Sequence, residues 1–274
     1  MNPLQQQAAA FRALHVPGRP LVLANAWDTA SARIIEEAGA PALATTSAGL
    51  SWDHGTADGD RLGRERALAA VARITATVRV PVSADVETGY ADDAKGVAET
   101  VRAVLDAGAV GINIEDALYE GTTALRPVAE QCERIAAARE AADTAGVPLF
   151  VNARTDTYLR QAGDLADTLE RAAAYLAAGA DGIFVPGPTD PRTVTALATG
   201  IDGPLNILAG PGAPPVAELA ALGVARISAG SSIAAAAHAL VRRAARELFG
   251  TGTYASLADG YDYGELNGLL GGRG

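Results

Sequence analysis

Cysteine is nearly absent from this sequence, which has a single one, Cys132, among 274 residues. One thiol cannot form a disulfide within the chain, and it cannot build a metal site from several cysteines. Zinc sites held by thiolates are therefore excluded. A metal ion bound here would be a hard cation with oxygen ligands, such as Mg²⁺ or Mn²⁺.

Basic residues are scarce relative to acidic ones, with 22 Lys and Arg against 32 Asp and Glu and a net charge of -10. This charge repels nucleic acids and anionic membranes, and no basic patch with interleaved aromatic residues is present. We expect neither kind of partner. A small-molecule carboxylate substrate would be attracted locally, by a metal ion and a few arginines.

Long apolar runs are also missing, because no segment reaches the roughly 18 residues that a membrane span requires. The N-terminus has no basic segment followed by an apolar one, so we expect a soluble, cytoplasmic protein. Half of the residues, 49%, are apolar, which suffices for one large core, and no linker marks a second domain. The prediction is one domain over residues 1–274, with an N-terminal helix and lead-in at 1–18 and a C-terminal tail at 250–274.

A short pattern recurs along the chain, in which glycine follows an alanine-rich helical stretch and precedes an apolar run. The five copies lie at residues 38–43, 107–112, 145–150, 178–183 and 222–227. Glycine in this position caps a helix before the next strand begins. The spacing of about 37 residues is close to one strand-helix unit.

Short apolar runs flanked by turn residues predict eight strands. They lie near residues 21–26, 42–47, 80–85, 111–115, 149–153, 182–186, 204–208 and 225–229. The predicted helices that follow them lie near residues 29–38, 62–77, 92–106, 128–144, 164–178, 190–199, 215–221 and 231–249. Eight such units predict an α/β fold of the (β/α)8 TIM barrel type, with a doubly wound open sheet as the alternative. A helix at 4–14 is expected to plug the bottom, and the tail to pack on a neighbour.

Three consecutive predicted strands end in charged residues. Asp85 and Glu87 end the first of them, Glu115 ends the next, and Arg154 and Asp156 end the third. Residues at i and i+2 share a face of a strand, so the first two carboxylates are expected to point at one spot. Two like charges at one spot need a cation or a proton between them. The pattern predicts an enzyme site at one rim of a parallel barrel.

The acids at this rim favour a divalent metal site formed by Asp85, Glu87 and Glu115. The alternative is that Asp85 and Glu87 are solvated turn residues, but the apolar strand before them favours burial, where unpaired charge is costly. Mg²⁺ keeps several waters and needs only one or two direct carboxylates, so some of these acids are expected to bind through water.

Three other features are candidates for substrate binding or catalysis. Arg154 offers a planar fork of donors to a carboxylate or phosphonate, or else pairs with Asp156. The turn Thr45-Thr-Ser-Ala-Gly49 offers hydroxyl and N–H groups to an anion. Asp58 is a candidate catalytic or metal-shell acid, or an ordinary turn residue.

The motif Asp85-Val-Glu-Thr-Gly-Tyr90 resembles the Asp-x-Asp-x-Gly-Tyr motif of the isocitrate lyase and phosphoenolpyruvate mutase superfamily. The segments Thr46–Gly49, Ile114–Asp116 and Ala153–Asp156 fall in that family's order and spacing, and the resemblance extends from Phe11 to Arg246. It implies a (β/α)8 barrel with Mg²⁺ at the acidic rim and a pyruvate-like enolate stabilised by the metal. It also implies homo-oligomers, dimers or tetramers, in which a C-terminal helix is exchanged between subunits.

Carried over by position, the resemblance assigns substrate binding and catalysis to particular residues. The substrate-binding residues are Thr46, Ser47, Ala48, Asp85 and Arg154. The catalytic residues are Asp58, which would lie over the reacting centre, together with Glu115 and Arg154.

Two departures from the family pattern matter. Glu87 replaces the more usual aspartate, which adds one methylene and shifts the water shell of the metal. The segment Ala117–Pro127 lacks both the Lys-Arg/Lys-Cys-Gly-His stretch of the lyases and the Lys-x-Asn of the mutases. That loop normally closes over the substrate, and here Tyr119, Glu120 and Arg126 are the candidate gate residues.

These features favour a magnesium-dependent lyase that cleaves a carbon-carbon bond of a small 2-oxo or 2-hydroxy carboxylate. Decarboxylation of an oxaloacetate-like acid and cleavage of a substituted malate are the two versions. One alternative is a phosphonate enzyme, either a phosphoenolpyruvate mutase or a phosphonopyruvate hydrolase. The other is a non-catalytic protein that binds a metal and an oxo acid.

Overall fold

A computed structural model describes residues 1–271 as a sheet of nine parallel strands surrounded by helices. The strands are β1 Leu21–Leu23, β2 Asn25–Ala26, β3 Leu43–Thr45, β4 Val82–Asp85, β5 Gly111–Glu115, β6 Phe150–Arg154, β7 Gly182–Val185, β8 Leu205–Leu208 and β9 Arg226–Ser228. Only Ala24 separates β1 from β2, and β1 pairs with β9 while β2 pairs with β3. These two segments are halves of one barrel strand, so the sheet forms the predicted (β/α)8 barrel.

Eleven α-helices are present among residues 1–271. They are α1 Pro3–Ala13, α2 Thr29–Glu37, α3 Ser47–Asp53, α4 Arg64–Thr75, α5 Ala94–Asp106, α6 Val128–Thr144, α7 Leu165–Ala177, α8 Pro191–Gly200, α9 Val216–Ala221, α10 Ser232–Gly250 and α11 Tyr263–Gly271. A 3-10 helix spans Ala255–Leu257. None of these helices has the length and apolarity that a bilayer span requires.

The recurring glycines end helices, as the sequence pattern predicts. Each lies just after a helix with a left-handed φ between 67° and 109°; they are Gly39, Gly108, Gly146, Gly179 and Gly223. Side chains other than glycine are strained in this region, which is why the pattern survives in every copy. Three helices also begin at a side-chain cap: Asp28, Asp164 and Asp190 each accept a backbone N–H from the first turn of a helix.

The bottom of the barrel is closed by α1, as predicted. Phe11 lies edge-to-face against Phe150 with ring centroids 5.9 Å apart, and His15 stacks on the same ring at 3.8 Å. Gly111 makes room for this packing, because a Cβ there would lie 2.7 Å from the Phe11 ring. Burial, together with the charge of Arg226, lowers the pKa of His15 to about 3.

The two C-terminal helices differ from the rest in how they pack. Along α10 only Ala234 and Ala244 are buried, and α10 leaves apolar side chains such as Val241 exposed. The tail does not stand free of its own chain, because α11 contacts α2 and Arg33 Nη2 donates to Leu269 O at 3.3 Å. Part of the tail therefore finds a packing surface within the same chain. Residues 272–274 lie outside the described residues.

Candidate active site

Acidic and basic side chains meet inside the barrel at the carboxyl ends of β4, β5 and β6. Asp85 and Asn113 are paired in register between β4 and β5, and Glu115 and Arg154 between β5 and β6. Side chains on one face of neighbouring parallel strands converge inside a closed barrel. The structure therefore brings Asp85, Glu115 and Arg154 together at one rim.

Asp85 is held from the neighbouring strand and has one oxygen without a partner. Its backbone N–H donates to Thr45 Oγ1 at 2.9 Å, and its Oδ2 accepts from Ser47 N–H at 3.2 Å. Its Oδ1 is buried and has no hydrogen-bond partner among residues 1–271. A buried carboxylate oxygen without a partner is costly unless a cation or donor joins it.

The backbone against Asp85 is helical, which the sequence analysis did not predict. The predicted turn at Thr45–Gly49 instead opens α3, with Thr46 as its N-cap. Residue 49 has no room for a side chain, because a Cβ on Gly49 would lie 2.7 Å from Trp27 and 2.7 Å from the Thr46 methyl group. Thr46, Ser47 and Ala48 are thus fixed beside Asp85 by packing as well as by hydrogen bonds.

Glu87 lies beyond the end of β4 and does not share a strand face with Asp85. Its φ of +50° is left-handed, and its carboxylate turns to the neighbouring loop. There it accepts from Gly59 N–H at 2.9 Å, from Asp60 N–H and from Tyr90 Oη at 3.0 Å. Burial raises the pKa of Glu87 to about 7. Through these hydrogen bonds, Glu87 fixes the loop around Gly59 and Asp60 above the barrel.

Glu115 and Arg154 form a buried ion pair at the centre of the rim. Arg154 Nη1 lies 2.7 Å from Glu115 Oε2, while its Nε and Nη2 bind Asp156 at 2.6 and 2.9 Å. Burial raises the pKa of Glu115, and the Arg154 charge offsets part of that rise. Burial alone would lower the pKa of Arg154, but the charges of Glu115 and Asp156 dominate and raise it. The ion pair with Asp156 anticipated from the sequence is therefore present.

Two loops cover the rim. A Cβ on Gly59 would lie 2.9 Å from the Tyr119 ring, and the Tyr119 hydroxyl donates to Glu115. Arg160 lies over the same ring, 4.7 Å from its centroid. Tyr119 is thus the residue by which the loop that departs from the family pattern reaches the site.

Asp58 belongs to the loop on the other side of the rim. Its side chain keeps one face in solvent. The surrounding protein raises the pKa of Asp58, and the nearby Asp85 charge raises it further, while a hydrogen bond with Ser47 lowers it. Asp58 therefore lies close to both Asp85 and Ser47.

A cavity of about 560 Å³ opens beside this rim, between the loops around residues 59–64, 88–92 and 117–126. Polar and charged side chains line it, among them Asp60, Arg61, Tyr119 and Arg126. Asp85, Glu115 and Arg154 do not line it. Its volume suits a small ligand, and its position places it next to the charged cluster.

The donors present fit a magnesium ion that has one direct protein ligand. No three His, Cys, Asp or Glu side chains within residues 1–271 are arranged to hold a metal together. The unpartnered Asp85 Oδ1 could serve as one direct ligand, and Mg²⁺ would then take water or substrate at its remaining positions. The oxygens of Glu87 and Glu115 already accept hydrogen bonds, so they are candidates for contact through water.

Several polar residues inside the barrel escaped the sequence analysis. Asn113, Asn152, Asn206 and Arg226 are all buried and lie within the apolar strands β5, β6, β8 and β9. The sequence signal for such residues is a polar side chain within an otherwise apolar predicted strand. Charge at the carboxyl ends of strands does not reveal these residues, because the asparagines are uncharged and Arg226 lies at the start of β9.

The family model described as phosphoenolpyruvate phosphomutase matches residues 11–249. The chain belongs to this family. The phosphoenolpyruvate mutase family lies within the isocitrate lyase superfamily suggested by the sequence motifs. Its members named in the comparisons include lyases and mutases.

Among the family's curated proteins, an uncharacterized protein of Mycobacterium tuberculosis is 42% identical over 237 residues, covering 84% of this chain and 87% of that protein. The 2,3-dimethylmalate lyase of Eubacterium barkeri is 32% identical over 225 residues, covering 79% and 77%.

Solved structures share the fold. A protein assigned as a lyase or mutase from Burkholderia cenocepacia J2315 is 38% identical with a TM-score of 0.94, covering 100% of this chain and 98% of that chain. Phosphonopyruvate hydrolase in complex with oxalate and Mg²⁺ is 27% identical with a TM-score of 0.85, covering 97% and 95%.

Proposed function

We propose that this chain is a magnesium-dependent lyase that cleaves a carbon-carbon bond of a small 2-oxo or 2-hydroxy carboxylate through an enolate. The observation that carries the proposal is the unpartnered Asp85 Oδ1 beside Glu115 and Arg154 at the barrel rim. The 2,3-dimethylmalate lyase among the relatives supports carbon-carbon cleavage. The phosphonopyruvate hydrolase complex supports magnesium and an oxalate-like ligand.

Asp85 would hold the ion directly, and Glu87 and Glu115 would contact it through water. Mn²⁺ is a suitable substitute because it accepts the same oxygen ligands. When bound, the ion supplies positive charge where the enolate develops negative charge.

Substrate positioning falls to α3 and β6. Thr46, Ser47 and Ala48 lie beside Asp85 and offer hydroxyl and N–H groups to the substrate carboxylate. Arg154 is oriented by Asp156 through two bonds, and its Nη1, which pairs with Glu115, lies at the rim. A guanidinium fixed in this way binds an oxyanion with little loss of side-chain freedom.

Asp58 is the proposed acid-base residue. Its raised pKa and its place near Ser47 and Asp85 suit an exchange of a proton with the hydroxyl oxygen of a 2-hydroxy acid. Glu115 supports catalysis by fixing Arg154 and Tyr119 over the rim.

A phosphonate reaction is the second candidate, because the matching family model carries the phosphomutase description and a phosphonopyruvate hydrolase shares the fold. The loop at 117–127 disfavours it, since this loop lacks the Lys-x-Asn of the mutases and contributes Tyr119 to the rim.

A substrate panel separates these functions. With Mg²⁺ present, we expect oxaloacetate or a 2-alkylmalate to be cleaved, with the 2-oxo product measured by reduction with NADH, and we expect EDTA to stop the reaction. Release of phosphate or formation of phosphoenolpyruvate from phosphonopyruvate, with no cleavage of the other acids, would favour the phosphonate reaction. Tight oxalate binding without turnover of any acid would favour a non-catalytic protein.

We also propose that the protein is a homodimer or homotetramer in which α10 is exchanged between subunits. Val241 on α10 is 67% exposed and Val22 on the outer face of β1 is 44% exposed, although the eighth helix of a barrel normally covers that face. The α10 surface around Val241 and the β1 surface around Val22 are both apolar, and within residues 1–271 no element packs over either of them.

Val241→Glu is expected to reduce the molecular mass in solution, because it places a charge in the proposed contact. Light scattering coupled to size-exclusion chromatography measures this mass. Arg242→Glu, the neighbouring exposed position, is the matched control and is expected to keep the wild-type mass. A monomeric wild-type protein would contradict the exchange.

A further inference from the structure

Arg226 is a fully buried arginine in the interior of the barrel. It projects from β9, where it is 1% exposed, and Nη2 donates to Asn113 Oδ1 at 3.1 Å. Its Nε donates to Ser228 Oγ at 3.4 Å, and its Nη1 has no hydrogen-bond partner among residues 1–271. No ion pair joins it to a carboxylate in the described chain. A buried charge without a direct counter-charge is costly, so its presence calls for a compensating use.

The guanidinium of Arg226 is linked to Asp85 through Asn113. Asn113, which accepts its hydrogen bond, is paired in register with Asp85 on the adjacent strand. Neighbouring strands lie about 4.8 Å apart, so the residue that Arg226 bonds is a direct neighbour of Asp85. Burial lowers the pKa of Arg226 to about 9, and Asp85 acts in the opposite direction. Arg226 and Asp85 are thus a cation and an anion inside the same barrel. Among residues 1–271, Arg226 Nη1 and Asp85 Oδ1 each have no hydrogen-bond partner.

We propose that Arg226 is a positioning residue that weakens the binding of a free divalent ion at Asp85 and strengthens the binding of an anionic substrate to the loaded site. This inference rests on the metal site of the proposed function. It adds that the buried cation disfavours the ion bound alone and favours the ion bound together with a dicarboxylate, because it repels the ion and attracts the dicarboxylate.

The size of the effect follows from Coulomb's law. At an effective dielectric constant of about 20, even a separation on the order of 10 Å lets a unit charge change the affinity for a divalent ion by well over tenfold. The acids at the rim act in the other direction and retain the ion. Arg226 therefore moves the site from binding the metal alone towards binding it together with a carboxylate.

Two substitutions remove this charge in different ways. Arg226→Gln keeps a polar group that can reach Ser228, and Arg226→Met keeps the apolar stem. Arg139→Met is the matched control, since Arg139 is another largely buried arginine, bound to Leu149 O at the opposite end of the barrel. Circular dichroism shows which variants are folded.

Mn²⁺ titration followed by electron paramagnetic resonance measures the affinity for the free ion. We expect at least tenfold tighter Mn²⁺ binding in Arg226→Gln and Arg226→Met, and no change in Arg139→Met. Damage to the fold would weaken the binding, so the expected direction is one that a purely structural role of Arg226 does not produce.

Calorimetry with oxalate at saturating Mn²⁺ tests the second half of the proposal. We expect at least tenfold weaker oxalate binding in both Arg226 variants. If the wild type binds Mn²⁺ and both folded variants bind it no more tightly, the role of Arg226 is overturned and the proposed function stands. If neither wild type nor variant binds Mn²⁺, the proposed metal site fails and the inference with it.

Discussion

Asp85→Asn is expected to lower turnover at least about a thousandfold, the upper range for removing one group that stabilises transition-state charge. Asn keeps an oxygen that can accept from Ser47 N–H but loses the negative charge that Asp85 Oδ1 offers to a cation. The affinity for Mg²⁺ is expected to fall as well, because a direct carboxylate becomes a weaker amide ligand. Initial rates with the preferred acid and calorimetric titration with Mg²⁺ measure the two losses.

The matched control is Asp143→Asn, which neutralises an exposed aspartate on α6. It changes the net charge by the same amount and is expected to leave turnover and Mg²⁺ affinity at wild-type values. Wild-type metal affinity and turnover in Asp85→Asn would show that no catalytic ion lies at this carboxylate.

Arg154→Lys is expected to reduce kcat/KM by about a hundredfold or more. Lysine keeps one positive charge but cannot donate two parallel bonds to Asp156 while directing a third donor at the rim. The oxyanion of the substrate would then meet a flexible ammonium group. Steady-state kinetics and the melting temperature are measured on the same preparation.

Arg171→Lys separates a substrate contact from a structural ion pair. Arg171 binds the buried Asp116 at 3.1 Å behind the rim, so its replacement disturbs a comparable pair outside the site. Arg171→Lys is expected to lower the melting temperature and keep kcat/KM. Equal losses of kcat/KM in the two variants would contradict a direct role for Arg154.

The barrel was predictable because its signals are local. The capping glycine after each helix, Gly108 for example, needs only its own turn to show its conformation, and apolar runs such as β5 mark buried strands. The helices at α6 and α7 agree with the predicted bounds to within one residue for the same reason. The break of the first strand at Ala24 was not predicted, because it depends on pairing with two different neighbours.

The candidate site was predictable in its membership and less so in its geometry. Asp85, Glu115 and Arg154 meet because equivalent strand ends meet in any barrel. Glu87 departs from the strand-face expectation because β4 ends at Asp85 and the chain turns through a left-handed residue. Tertiary contacts that no local pattern encodes decide where such a side chain points.

The buried charge of Arg226 is a second case in which tertiary contacts, rather than local sequence patterns, decide what a side chain faces. Its partners come from β5 and its own strand, and the acid that it faces lies on β4, far away in sequence. No spacing rule connects Arg226 with Asp85. The link becomes visible only when the barrel is closed.

Phe11 and His15 pack against Phe150 and close the floor of the barrel, which leaves the rim at the carboxyl ends of the strands as its open end. If the proposed cleavage takes place, both products would leave through this open end. The product nearer the rim would leave first. Under the proposed function, the deeper product, held by the ion and Arg154, would leave last and would compete with incoming substrate for the same binding site. The closed floor of the barrel would thus impose an order of product release that the reaction itself does not require.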